Sequence, residues 1–153
     1  MDRILITTDG SPSAQEAVDF GIELAADQGS AVTFVHVVPV VDVVPSGGFG
    51  LTGAVPHELT EGDTESLDEA QSRAEAAGVT SYTKLLRGDP VDEIVAYADT
   101  VDADLIVVGS RGHGAVASAL LGSVSRGILR EARRPVLVVR GAASRHPAEP
   151  ALA

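Results

Sequence analysis

The residues best suited to chemistry are glycines and serines toward the carboxyl end. Gly109-Ser110-Arg111-Gly112-His113-Gly114 is followed, after Ala115 to Leu121, by Gly122-Ser123-Val124-Ser125, a spacing of Gly-x2-Gly-x9-Gly-Ser. Glycines at 109 and 112 let a backbone turn sharply and approach a ligand with no Cβ in the way. Gly122 and Ser123 stand where a helix opens, and unpaired amides and the helix dipole there favour phosphate oxygens. Serine hydroxyls add donors. The spacing therefore reads as an anion site made of two glycine turns at neighbouring strand ends. Taken singly, each glycine also reads as a turn former and Ser123 as a helix cap; it is the set, in this order after a hydrophobic strand, that favours the anion site.

Other chemistries find less support. Cysteine and tryptophan are absent, which excludes disulfides, thiolate metal sites and thiol nucleophiles. Neither a GxxxxGK[ST] loop nor an HEXXH pair occurs, and no Ser-His-Asp set can be singled out. His36 lies inside a strand and reads as a core or sheet-end histidine. Arg111 and His113 in the glycine loop would shield phosphate charge, and solvent exposure accounts for them equally well. Asp9 reads either as a ligand contact or as a turn former before the first helix.

These residues need a scaffold. Arg3 to Thr8 is a β-branched, apolar run closed by Asp9-Gly10, which predicts a buried strand. Ser11-Pro12 starts a helix, with Ala14, Ala17, Val18, Gly21, Ile22, Leu24 and Ala25 on one face and Gly29 as its end. Ala31 to Val38 is a second strand without polar alternation, hence covered on both faces. Pro39 to about Thr60 is rich in proline and glycine, shows no periodicity, and is expected to be a long loop acting as a lid or mobile segment. Glu61 to Ala77 reads as an acidic helix packing through Leu67, Ala70, Ala74 and Ala77. Val79 to Leu86 is the third strand, Val91 to about Asp99 a helix, Leu105 to Gly109 the fourth strand, Ser123 to Glu131 a helix, and Val136 to Val139 the fifth strand.

Strands alternating with helices imply right-handed βαβ crossovers and an open parallel sheet with helices on both faces. The class expected is α/β, five strands in the order 3-2-1-4-5, Rossmann-like. Ligands of such sheets bind beyond the carboxyl ends of the strands where the order reverses, which is between the first and fourth strands. Residues 1–141 are expected to form one domain and 142–153 a disordered tail.

Charge sets limits on partners. The chain of 153 residues carries 22 Asp and Glu against 11 Lys and Arg, a formal net charge of −11 that argues against nucleic acid and anionic membrane. Residues 1–76 hold 14 acids and two bases, whereas seven arginines and one acid lie from Arg111 to Arg145, a stretch suited to a small polyanion. Lysine occurs once, at Lys84; an acidic surface almost without lysine is the pattern of proteins from salt-loving organisms, although codon bias produces it too. The apolar runs are too short to span a membrane, and no signal peptide is recognisable. A soluble cytoplasmic protein is expected.

From Arg3 to Arg140 the chain resembles the universal stress protein family, in its ATP-binding branch. The resemblance rests on Thr8-Asp9-Gly10-Ser11, Val35-His36-Val37, Gly88-Asp89-Pro90, the complete Gly109-x2-Gly112-x9-Gly122-Ser123 motif and Arg134-Pro135-Val136-Leu137-Val138-Val139. It implies ATP with Mg2+ as ligand. Asp9, with Thr7 and Thr8 beside it, would lie near the adenine or ribose, and Val37 and Val108 would line the adenine pocket. Gly109, Arg111 and Gly112 would wrap the ribose and phosphates, and Gly122, Ser123, Val124 and Ser125 would hold the phosphates. The resemblance also implies a nucleotide-responsive stress regulator with an unidentified protein partner. The last strand, at the sheet edge, predicts a homodimer paired through Val136, Leu137, Val138 and Val139, which a proline at Leu137 would split, and the resemblance points to the same surface; the alternative is that Arg133, Arg134 and Arg140 blunt the edge and keep the chain monomeric. The alternatives are a slow ATPase or autophosphorylating enzyme with Ser123 or Ser125 as acceptor, or a scaffold for AMP or cAMP.

Overall fold

The computed structural model describes residues 1–111 and 121–141; Gly112, His113 and the expected tail from Ala142 lie outside them. Its main sheet is parallel and contains β1 (Arg3–Thr7), β2 (Ala31–Val38), β5 (Ser81–Arg87), β6 (Leu105–Gly109) and β7 (Val136–Val139), in the order β5-β2-β1-β6-β7. This is the expected order in chain-wide numbering, with the reversal between β1 and β6. The helices are α1 (Pro12–Gln28), α2 (Glu61–Ala76), α3 (Pro90–Thr100) and α4 (Ser123–Glu131).

Side chains of the central strands alternate between the two faces, and each face is covered. Ile4, Ile6, Val32, Phe34, Leu105 and Val107 pack with Ala17, Val18 and Ile22 of α1 and Leu67, Ala70 and Ala74 of α2. Leu5, Val35, Ile106 and Val108 pack on the opposite side with Ile94 and Ala98 of α3 and Ile128 of α4. That double burial is why β1, β2 and β6 read as continuous apolar runs. Ala77, expected in the core, is instead exposed: the helix ends at Ala76 and Ala77 is its C-cap.

Asp104 sets the start of the β1–β6 pair. Its Oδ2 accepts from the amides of Asp2 (2.7 Å) and Arg3 (2.9 Å), and the Arg3 amide, then that of Asp2, holds its carboxyl below the usual range. With this end anchored, Ile4 pairs with Leu105 and Ile6 with Val107, so the carboxyl ends of β1 and β6 finish side by side.

The segment expected to be a loop is largely a hairpin. β3 (Val41–Pro45) pairs antiparallel with β4 (Thr52–Pro56), Val41 opposite Pro56 and Val43 opposite Ala54. The prolines sit at strand ends, where a missing N–H is tolerated. One face carries Val41 and Val43 outward, with Val43 73% exposed.

β7 pairs only with β6 among the described residues. Ile106 N donates to Pro135 O, and Ser110 N to Val139 O (both 2.9 Å). Main-chain groups alternate sides along a strand, so those of Leu137 face β6 and those of Val136 and Val138 face outward. A proline at Leu137 would therefore disturb the internal ladder, and Val138 is the position that probes the open edge. Among the described residues no helix is long and apolar enough to cross a membrane.

Candidate functional site

The carboxyl ends of β1 and β6 are joined through the first turn of α1. Ser11 caps that helix, its Oγ accepting from Ala14 N at 3.3 Å. Ser13, two residues on, accepts from the amide of Arg111 at 3.2 Å and lies 3.4 Å from the Ser110 hydroxyl. This packing explains Gly109 more directly than any ligand does. A Cβ there would stand 2.7 Å from Ser13 O and 2.8 Å from Ser13 C, so only glycine lets α1 lie this close to the end of β6.

Ser110 is the hub. Its amide reaches Val139 O in β7 (2.9 Å), and its carbonyl accepts from Gly122 N (2.7 Å) and from Ser125 Oγ (3.2 Å). The start of α4 is thereby held at the end of β6. Gly122 is the N-cap in extended conformation, with φ −65° and ψ 163°, and as a glycine it brings no capping side chain of its own. The other helices differ. α1 is capped by Ser11, α3 by Asp89, which accepts from Asp92 N (3.1 Å), and α2 closes on itself through Asp63, which accepts from Thr60 N (2.8 Å). Among the described residues, no side-chain acceptor is seen for the first-turn amides of α4, from Ser123 to Ser125. Together with the helix dipole they are suited to an anion.

On the other side of the reversal, Thr8 is buried and its Oγ1 accepts from Gly10 N (3.2 Å). Asp9 makes the turn contact expected of its type, accepting from Ser11 N at 2.9 Å. His36 Nδ1 lies 2.9 Å from Thr8 O, which makes it a sheet-end histidine stitching β2 to the turn after β1. Thr7 is opposite Val35 in β2, and Val37 follows two residues later, half-buried beside Leu86 of β5. Val108 is 2% exposed and belongs to the core beneath α3 and α4.

Of the residues singled out from sequence, Thr7, Thr8, Asp9, Gly109, Arg111, Gly122, Ser123, Val124 and Ser125 are thus gathered around one strand-end junction. Gly112 lies outside the described residues. Ser123 is exposed, whereas Ser125 is 3% exposed and its hydroxyl lies within donating distance of Ser110 O and Gly122 O (3.0 Å). Its side chain braces the turn, leaving its amide as the group at the helix end. Val124 is half-buried against the core beneath α3 and α4. Ser13 and Ser110 were not singled out from sequence, and both hold the junction together. The available signal for Ser110 was its place inside the glycine loop, while Ser13 carries none until Gly109 is seen to need it.

The universal stress protein family profile matches residues 1–140. A universal stress protein of Methanocaldococcus jannaschii is 37% identical over 141 residues, covering 90% of this chain and 81% of that protein. One from Bacillus subtilis is 31% identical, covering 91% and 99%. Among solved structures, a universal stress protein in complex with cAMP superposes with a TM-score of 0.67 at 32% identity, covering 90% of this chain and 95% of the other. The Archaeoglobus fulgidus universal stress protein in complex with dAMP gives a TM-score of 0.64 at 28% identity, covering 90% and 97%. With the parallel sheet, its reversal between β1 and β6 and the glycine-serine motif at that point, the chain belongs to the universal stress protein family.

Proposed function

We propose that this chain binds an adenine nucleotide, ATP with Mg2+, in the crevice beyond β1 and β6, and that it acts as a nucleotide-responsive regulator in the stress response. One observation carries the reading: α4 begins at Gly122, which has no side chain to cap it, and a 2.7 Å hydrogen bond from Gly122 N to Ser110 O holds that start at the topological reversal. The cAMP and dAMP complexes of two family members support an adenine nucleotide as the ligand class.

In this reading the amides of Ser123, Val124 and Ser125 and the hydroxyl of Ser123 receive phosphate oxygens, and Arg111 adds positive charge. Gly109 and Gly112 keep the chain close to the ribose and phosphates. Thr7, Thr8 and Asp9 face the nucleoside, and Val37 borders the adenine, with Val108 as part of the floor behind it. Mg2+ would neutralise phosphate charge. Such an ion would be carried mainly by phosphate oxygens and water.

Binding would be read out through the 39–60 segment or through a homodimer formed at the edge of Val136, Leu137, Val138 and Val139, and passed to a protein partner. An unpaired strand edge favours isologous pairing with a second copy. Nucleotide released on denaturing the purified protein, identified by mass spectrometry, tests the reading. Stoichiometric ATP is expected; AMP or cAMP in its place would move the proposal to the scaffold alternative.

A further inference from the structure

His57 follows β4 directly, its side chain is 13% exposed, and both ring nitrogens face carboxylates. Nδ1 is 2.9 Å from both oxygens of Asp42 on β3, and Nε2 is 3.0 Å from Oδ2 of Asp63 in the first turn of α2. A neutral imidazole has one N–H and one lone pair. In this geometry it would turn the lone pair on a carboxylate, so only the doubly protonated ring satisfies both contacts. We propose that Asp42, His57 and Asp63 form a proton-operated latch, which ties the β3–β4 hairpin to α2 while the imidazole is charged and lets go when it is neutral.

The surroundings on each packed element bear on the sign. β3 supplies Asp42, and α2 supplies Asp63, already held by the Thr60 amide (2.8 Å) and hydroxyl (3.1 Å). β5 supplies a cation, Arg87, whose guanidinium donates to His57 O at 2.5 Å. Glu58 and Glu61, next along the chain, add negative charge. The hydrogen bond to Asp42, then that to Asp63, raises the His57 pKa above 6.5, and the Thr60 amide foremost lowers that of Asp63. A raised histidine pKa stabilises the latched form below the ordinary value, and the effect is lost as pH rises through the folded value. Asp63 keeps its Thr60 contacts after the ring neutralises, so α2 stays capped and the freed element is the hairpin. The His57 main chain keeps its bonds, the amide to Val40 O (2.9 Å) at the base of the hairpin and the carbonyl to the Arg87 guanidinium.

The latch does not rest on the nucleotide reading, and its test uses the ligand-free full chain. Amide hydrogen exchange, corrected for intrinsic rates, is followed from about pH 6 to about pH 9 beside the imidazole nitrogen-15 shifts of His57. Protection of residues 41–57 is expected to fall severalfold as His57 titrates, with a midpoint above that of an unstructured histidine, while β1 and β6 keep theirs. His57→Gln should hold the hairpin at the low level at every pH, with β1 and β6 reporting that the fold is intact. Asp42→Asn should shift the His57 midpoint downward. Flat hairpin protection in the wild type, a midpoint at or below the ordinary value, or an Asp42→Asn midpoint equal to the wild type's would overturn the latch.

Discussion

Gly109→Ala puts the junction under its most direct mechanical stress. The new Cβ would stand 2.7 Å from Ser13 O, 2.8 Å from Ser13 C and 2.9 Å from Ser13 Oγ, against an optimal carbon contact of about 3.5–4.0 Å. Two of these atoms are main chain in the first turn of α1, and neither can rotate away. The start of α1 must shift from the end of β6, which weakens the Ser13 contacts to Ser110 and to the Arg111 amide. Overpacking of this kind costs about 1–3 kcal/mol. For a chain of this size that corresponds to a melting point lower by about 2–4 °C per kcal/mol. Urea unfolding would measure it beside Gly48→Ala, where an added Cβ meets nothing within 4 Å and the change should stay within about 0.5 kcal/mol. If Gly109→Ala unfolds within about 0.5 kcal/mol of the wild type, the close approach of α1 is not what glycine is there for.

Three further outcomes follow from the same account. Thermal midpoints should rise from low to molar KCl, because salt shortens the range over which the acids of residues 1–76 repel one another, from about 10 Å at 0.1 M to about 3 Å at 1 M; a flat or falling midpoint removes the halophilic reading. Val138→Pro should convert a dimer to a monomer in light scattering, since the Val138 amide faces the open edge of β7, and a dimer indifferent to it would place the interface elsewhere. Any ATP turnover should lie far below the ~10 s⁻¹ typical of enzymes; turnover at ordinary speed, lost in Ser123→Ala, would favour the enzyme alternative.

The parallel sheet was legible because β1, β2 and β6 are buried on both faces and leave uninterrupted apolar runs such as Leu105-Ile106-Val107-Val108. The β3–β4 hairpin was not. Its strands are short and end in Pro45 and Pro56, its tip holds Gly47, Gly48 and Gly50, and its outward valines face solvent. On the inward face half-buried Val44 alternates with Asp42, and His57 follows β4, so no continuous apolar face marks it in the sequence. The candidate site was legible as a motif, since Gly109, Gly112, Gly122 and Ser123 stand in the spacing Gly-x2-Gly-x9-Gly-Ser. Their division of labour was not, because Gly109 answers to Ser13, ninety-six residues earlier, and the Ser125 hydroxyl turns inward to Ser110. Such contacts depend on α1 and α4 docking on the same strand end, which local pattern does not encode.

Calorimetric titration of the wild type and of Gly122→Val with ATP and Mg2+ tests the anion site at its centre. Gly122 has φ −65°, which any residue adopts, so the valine variant should keep the fold while its side chain would enter the space proposed for phosphate. The account predicts saturable binding of ATP by the wild type and none by Gly122→Val, with both proteins showing the same circular dichroism. Equal affinities, or no binding by the wild type after its bound nucleotide has been stripped, would contradict it.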